Sequence, residues 1–333
     1  MLPTRAESEN EEQRTICNFL WRNVEKGLAM ATLDRALERG KPRSRTALAR
    51  RQAGLLFVLP SVLFMAVFFV VPAVMALWVS LHNWPLFGAS KFIGLGNYIT
   101  LFKDPLFWRS LGFTTIYAVL VTPPIFLLGF GMALLVNQGI RGVQFFRMAF
   151  FLPNVISFGA VCLMWFFMLN DQIGIINVLL RQLGIIHGSF LWLAEYNTAM
   201  IAILILVVWK ASGGTMLLLL IGMQAIPEDL YHAASVDGAN AWDRLRYITL
   251  PLLKRSFALA LVLSVTGSYL AFDQFYILTQ GGPQNRTITL VYWVVSNAFI
   301  SFKVGYATAI SMVLLVILVL LNAAQLYLLR ETD

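Results

Sequence analysis

The 333-residue chain is 59% hydrophobic, carries only 13% charged residues and has a mean hydropathy of +0.73. That charged share is about half the soluble norm, which excludes an ordinary soluble globule. The net charge of +8 comes from basic residues spread through gaps between apolar runs, not gathered on one soluble face, which argues against nucleic-acid binding.

Residues 1–53 read as a polar, basic tail. From Arg35 to Arg51, seven basic residues stand against Glu38 alone. No apolar signal-peptide core lies near Met1, and "MATLDRALERGKPRSR" from Met30 offers an alternative start. Cys17 in the tail and Cys162 in an apolar run are not expected to meet in a disulfide. No CxxC or Cys/His cluster suggests a metal site.

A membrane-spanning helix needs about 20 apolar residues. Six such runs occupy a transmembrane domain over 54–329, at roughly 54–81, 112–136, 148–169, 199–225, 256–279 and 304–329, with 330–333 as a short end. Pro60, Pro72, Pro123 and Pro124 fall inside them, which spanning helices tolerate when neighbours satisfy the freed backbone groups. With a cytoplasmic N-terminus, 18 Lys and Arg fall inside and 6 outside, Lys210 remaining within a span. That bias predicts both termini in the cytoplasm. Trp84, Trp108, Trp192 and Tyr196 then sit at outer helix ends, as an interfacial aromatic belt would. The outer connections, about 82–111, 170–198 and 280–303, are too short for independent domains. "QGGPQNRT" at 280–287 reads as an outer turn. No internal repeat is visible.

Between the fourth and fifth runs the chain turns soluble. Pro227 followed by Glu228 and Asp229 marks a helix start. Gly238 supplies a turn, and Asn240 caps a second helix that ends before Pro251. Leu230, Ala233, Ala234, Val236, Trp242 and Leu245 give this helix pair an apolar side, a shape that fits a groove on another protein.

Two ionisable residues lie within predicted spans, Lys210 and Asp273. Such groups are costly in lipid and face a cavity or a partner. Lys210 lies roughly 16 Å from the outer start of its run and Asp273 roughly 10 Å from the same side, at helical rise. The spacing predicts a shared cavity in the outer half and a Lys210–Asp273 pair.

The stretch "HAASVDGANAWDRLRYITLP", His232 to Pro251, resembles the EAA motif of ABC importer permeases. Ala233, Ala234, Asp237, Gly238, Ala239, Ile248, Leu250 and Pro251 match; His232 replaces the usual Glu, and Leu245 stands where Phe is common. "GLGNYITLFKDPLFW", "FRMAFFLPNVIS", "GIINVLL", "MLLLLIGMQAIPEDLY", "FDQFYILTQGGPQNRT" and "GYATAISM" are similar to the carbohydrate-uptake branch, with maltose-type and glycerol-phosphate-type permeases. The resemblance implies an all-α membrane protein of type I importer architecture with a cytoplasmic coupling helix, in the bacterial inner membrane. It implies a second EAA permease, two cytoplasmic ATPases and an extracytoplasmic solute-binding protein. His232, Ala233, Ala234, Asp237, Gly238, Ala239, Leu245 and Pro251 would dock on the ATPase. Trp209, Lys210, Ser212, Thr215, Asp273 and Gln274 match the family's substrate-contacting stretches, with Tyr269 one turn before Asp273; aromatic rings beside hydrogen-bonding groups suit a sugar. The outer turn at 280–287 would face the binding protein.

The chain itself carries no phosphate-binding loop; "GKPR" at 40–43 lacks the Ser or Thr and the glycine-rich lead. No cofactor is expected on it, ATP and magnesium being used by the ATPase partner. His82, His187 and His232 sit in loops or at helix ends and read as solvated or packed. A self-sufficient ion-coupled secondary transporter, the alternative reading, would show paired repeats with broken helices; Asp273 is its one support.

Overall fold

The computed structural model describes residues 57–329 except Leu86, Gly139 and Ile140. The basic tail at 1–53, Cys17, Met30 and the end at 330–333 lie outside the described residues. The first helix, α1, runs Phe57–Ser80 and has no buried residue in its most apolar stretch. It crosses the boundary between two units, one ending at Pro72 and the other beginning at Ala73.

In the second unit, β1 (His82–Asn83) and β2 (Lys91–Phe92) form a two-stranded antiparallel hairpin. A short α2, Gly96–Lys103, leads to α3, Pro105–Val136. Asp104 caps α3 by accepting from Leu106 N at 2.9 Å, with Pro105 as the first helical residue. This helix starts seven residues earlier than hydropathy predicts, because the cap lies outside the apolar run. It stays helical through Pro123 and Pro124.

The third predicted span is not one straight helix. α4 (Val143–Val155) and α5 (Phe158–Met168) meet at 92°. Pro153 removes one backbone donor, and Ile156 and Ser157 adopt extended ψ values near 140°. A short α6, Ile175–Gln182, follows. Asn177 ties it to the loop beyond, donating to Phe190 O and accepting from Trp192 Nε1.

The central element is α7, Tyr196–Gln224, which packs against α3 and α4 and has the largest buried share of the candidate spans. α3 and α7 run in the same direction. Phe113 meets Tyr196 near their N-termini, while Ala133 and Val136 share a cluster with Leu220 and Met223 near their C-termini. Gly213 permits the close approach of α4: a Cβ there would collide with Phe150 O.

Two helices then protrude, α8 (Glu228–Val236) and α9 (Ala241–Leu252). The second helix passes through Pro251 instead of stopping before it. A π-helical turn at Leu245–Thr249 precedes Leu250–Leu252 and places Pro251 in a first-turn position that needs no donor. α9 meets α10, Lys254–Tyr269, at 63°. The fifth predicted span also ends early. α10 stops at Tyr269, and residues 273–279 form a separate short helical turn. Thr279 and Thr287 join hydroxyls at 2.8 Å to close the turn at 280–287, in which the Gly282–Pro283 peptide is cis. The apolar α11, Leu290–Ile300, and α12, Val304–Leu328, complete the chain.

By length and composition the described helices supply four spans, or six if each bent pair is counted as one. Three apolar clusters hold the second unit. One joins α3, α5, α7 and the 273–279 turn around Phe275. Another joins the C-terminal ends of α3 and α7 to the base of the protruding pair through Ile226 and Leu253. The last joins α2, the start of α3, α11 and α12 around Leu101, Phe107 and Leu290.

Candidate functional site

The protruding pair is built locally. Gly238 adopts φ +82°, with nothing within 4 Å of a would-be Cβ, so the turn depends on backbone freedom and not on space. The Asn240 side chain accepts from Trp242 N at 2.8 Å and Asp243 N at 3.0 Å, while Asp243 accepts from Asn240 N, closing a capping box. Arg244 reaches back across the turn to Ser235 Oγ. Tyr231 and Thr249 join hydroxyls at 3.0 Å, tying one helix to the other at its base. His232, Ala233, Asp237 and Ala239 therefore stand on one stiff unit with Leu245 and Pro251. Its apolar residues face outward: Val236 is 89% exposed and Trp242 63%. Apolar side chains held out on a polar helix pair form an exposed apolar patch of a shape that fits a groove.

Deeper in the second unit, the seven residues matched to substrate contacts do not share one chamber. Asp273 and Gln274 line a cavity of about 300 Å³ between α3, α7, α10 and the 273–279 turn. Gln274 Nε2 donates to Tyr117 OH at 3.1 Å, and Tyr117 lines the same space. Among the described residues Asp273 makes no hydrogen bond or ion pair, and Ser264 Oγ, also in the wall, has no partner. Phe158 and Phe272 supply ring faces. Sequence reading missed Tyr117, Ser264 and Phe158, because each looks like an unremarkable member of an apolar run.

Lys210 goes elsewhere. Its Nζ donates to Pro153 O at 3.0 Å and Ile156 O at 2.6 Å, and lies 5.2 Å from the centre of the Phe158 ring. The expected Lys210–Asp273 pair is absent: no such ion pair exists among the described residues. The α4–α5 bend leaves carbonyls without helical partners, and a cation at a helix C-terminus satisfies them. Trp209 and Ser212 border a different, mostly apolar cavity of about 610 Å³ between α3, α4 and α7. Thr215 is buried where Gly129 of α3 passes. Tyr269 is buried beside α3, its hydroxyl 3.0 Å from Thr115 Oγ1.

Residues 105–333 match the family described as the binding-protein-dependent transport system inner membrane component. The chain belongs to this family of membrane transport components. Among curated relatives of this transport component, the probable ABC transporter permease protein YurN of Bacillus subtilis is 34% identical over 274 residues, 81% of this chain and 94% of the relative. The sulfoquinovosyl glycerol transport system permease protein SmoG of Agrobacterium fabrum is 31% identical over 290 residues, 86% of this chain and 93% of the relative. The sn-glycerol-3-phosphate transport system permease protein UgpA of the same organism is 34% identical over 278 residues, 81% and 92%. The fold resembles a chain from a crystal structure of a bacterial ABC transporter involved in import of the acidic polysaccharide alginate, with TM-score 0.74 at 20% identity over 86% of this chain and 98% of that one. The fold of this transport component is thus that of a type I importer permease.

Proposed function

We propose that this chain is one permease subunit of an ATP-driven, binding-protein-dependent importer of a carbohydrate or carbohydrate-like solute in the bacterial cytoplasmic membrane. The observation that carries this reading is the protruding pair, α8–α9. It exposes apolar side chains, carries the EAA-like residues and is packed rigidly onto the end of α7 through Ile226 and Leu253. The Lys/Arg bias puts that pair and both termini on the cytoplasmic side.

The pair is a handle for a separate ATPase that uses ATP with magnesium; this chain hydrolyses nothing. Two ATPase grooves need two handles, so a second permease of the same kind completes the assembly, and an extracytoplasmic binding protein delivers the solute. His232, with Ala233, Ala234, Asp237, Gly238, Ala239, Leu245 and Pro251, forms the docking region. The solute contacts on this chain are Asp273 and Gln274, joined by Tyr117 and Ser264. Uncommitted oxygens beside aromatic faces match sugar hydroxyls and ring faces. Relatives that transport lactose or starch degradation products support a carbohydrate.

Reconstitution tests this. Proteoliposomes holding the chain with its genomic-neighbour permease, ATPase and binding protein should take up solute only with ATP inside and binding protein outside. Uptake by this chain without any ATPase would overturn the reading.

A further inference from the structure

Lys210 lies behind the solute chamber, not in its wall. Val207 and Ala211, which flank it on α7, line the Asp273 cavity; among the described residues Lys210 is not part of that lining. It is only 5% exposed, and its Nζ reaches the α4–α5 bend, donating to Pro153 O and Ile156 O.

Those two acceptors exist because the chain bends. In a continuous helix Pro153 O would accept from Ser157 N and Ile156 O from Ala160 N. The buried ammonium would then lose both partners, and a buried charge without partners is costly. Lys210 therefore holds the backbone open between α4 and α5. What the bend sets is the start of α5. Phe158 is the first residue of that helix, its ring lies 5.2 Å from Nζ, and the same residue lines the chamber with Asp273 and Gln274. α5 also packs against the turn that begins with those two residues. An ammonium held over an aromatic ring adds an attraction that favours one ring position.

We propose that Lys210 is a positioning residue for transport: by pinning the bend it holds the Phe158 ring in the chamber wall, as the apolar face on which a solute ring packs. The inference rests on the Asp273 cavity being the solute chamber.

The test uses the full chain, assembled with its partner permease and ATPase in nanodiscs and labelled with para-fluorophenylalanine at position 158. Lys210→Met should move or split the fluorine resonance, and Lys210→Arg should bring it back toward its place. A label at Phe107, in another apolar cluster, should not respond, whereas a merely structural loss would disturb both. Uptake is the second readout, with the sugar released from the binding protein as probe and rates counted per folded complex. Phe158→Leu should slow uptake about two- to tenfold, the range of a lost aromatic contact. Lys210→Met should do the same, and the double variant should be no slower than Phe158→Leu alone. Should Lys210→Met fold poorly, Lys210→Gln, which keeps N–H donors without the charge, takes its place. A fluorine signal or an uptake rate indifferent to Lys210, or losses that multiply in the double variant, overturns the proposal. Asp273→Asn answers separately for the chamber: unchanged uptake there would sink the chamber reading, while the fluorine spectrum still decides whether the lysine places the ring.

Discussion

Lys210 shows how a single residue can be conspicuous in sequence yet misassigned. A cation in a span announces a need for compensation, but the compensating atoms are set by tertiary geometry. They are two carbonyls at a bend more than fifty positions earlier, Pro153 O and Ile156 O, which no spacing rule points to. Lys210→Met should leave both carbonyls short of a donor and cost about 3–6 kcal/mol at about 1.5–3 per hydrogen bond to a charge. The measurement is thermal unfolding in detergent, where a fall of several degrees is expected and Lys210→Arg should recover part of it. Asp273, by contrast, is uncommitted. Asp273→Asn should leave folding unchanged and reduce solute uptake about tenfold, as expected when one charged contact to a ligand is lost. Its place in a cavity wall was foreseen; its presence on a separate turn instead of a long helix was not. The apolar run continues past Tyr269 without a proline to mark the stop, and hydropathy does not register a bend.

At the scale of elements, the α8–α9 pair was the most legible part of the chain. Pro227, the two acids after it, Gly238 and Asn240 each impose a local preference, and all agree. Gly238→Val forces a β-branched side chain into left-handed backbone at about 1–2 kcal/mol. The expected result is an intact membrane protein whose ATPase turnover is no longer linked to uptake, read by measuring both in the same vesicles. Gly213 is the opposite case. Nothing in "KASGGT" says which glycine is required, but the contact with Phe150 O does. Gly213→Leu should push α4 off α7 and lower the yield of folded protein, seen by size-exclusion profile; Gly188→Ala, in a loop with open space around it and no left-handed backbone, should not shift that profile by comparison.

For the whole molecule, class was readable from composition alone, because bilayer solvation demands long apolar helices and little else. The number of straight spans was not, because the 92° and 63° bends lie within runs that hydropathy scores as continuous. The family match begins at Pro105, the first helical residue of α3, so α1, the hairpin and α2 precede the shared region.

The embedding of α7 has one more outcome. Val207 and Ala211 belong to the chamber of Asp273, whereas Trp209 and Ser212, on another side of the same cylinder, belong to its greasy neighbour. Because the handle packs against the C-terminal end of that cylinder, a twist delivered there would move a wall of both rooms at once.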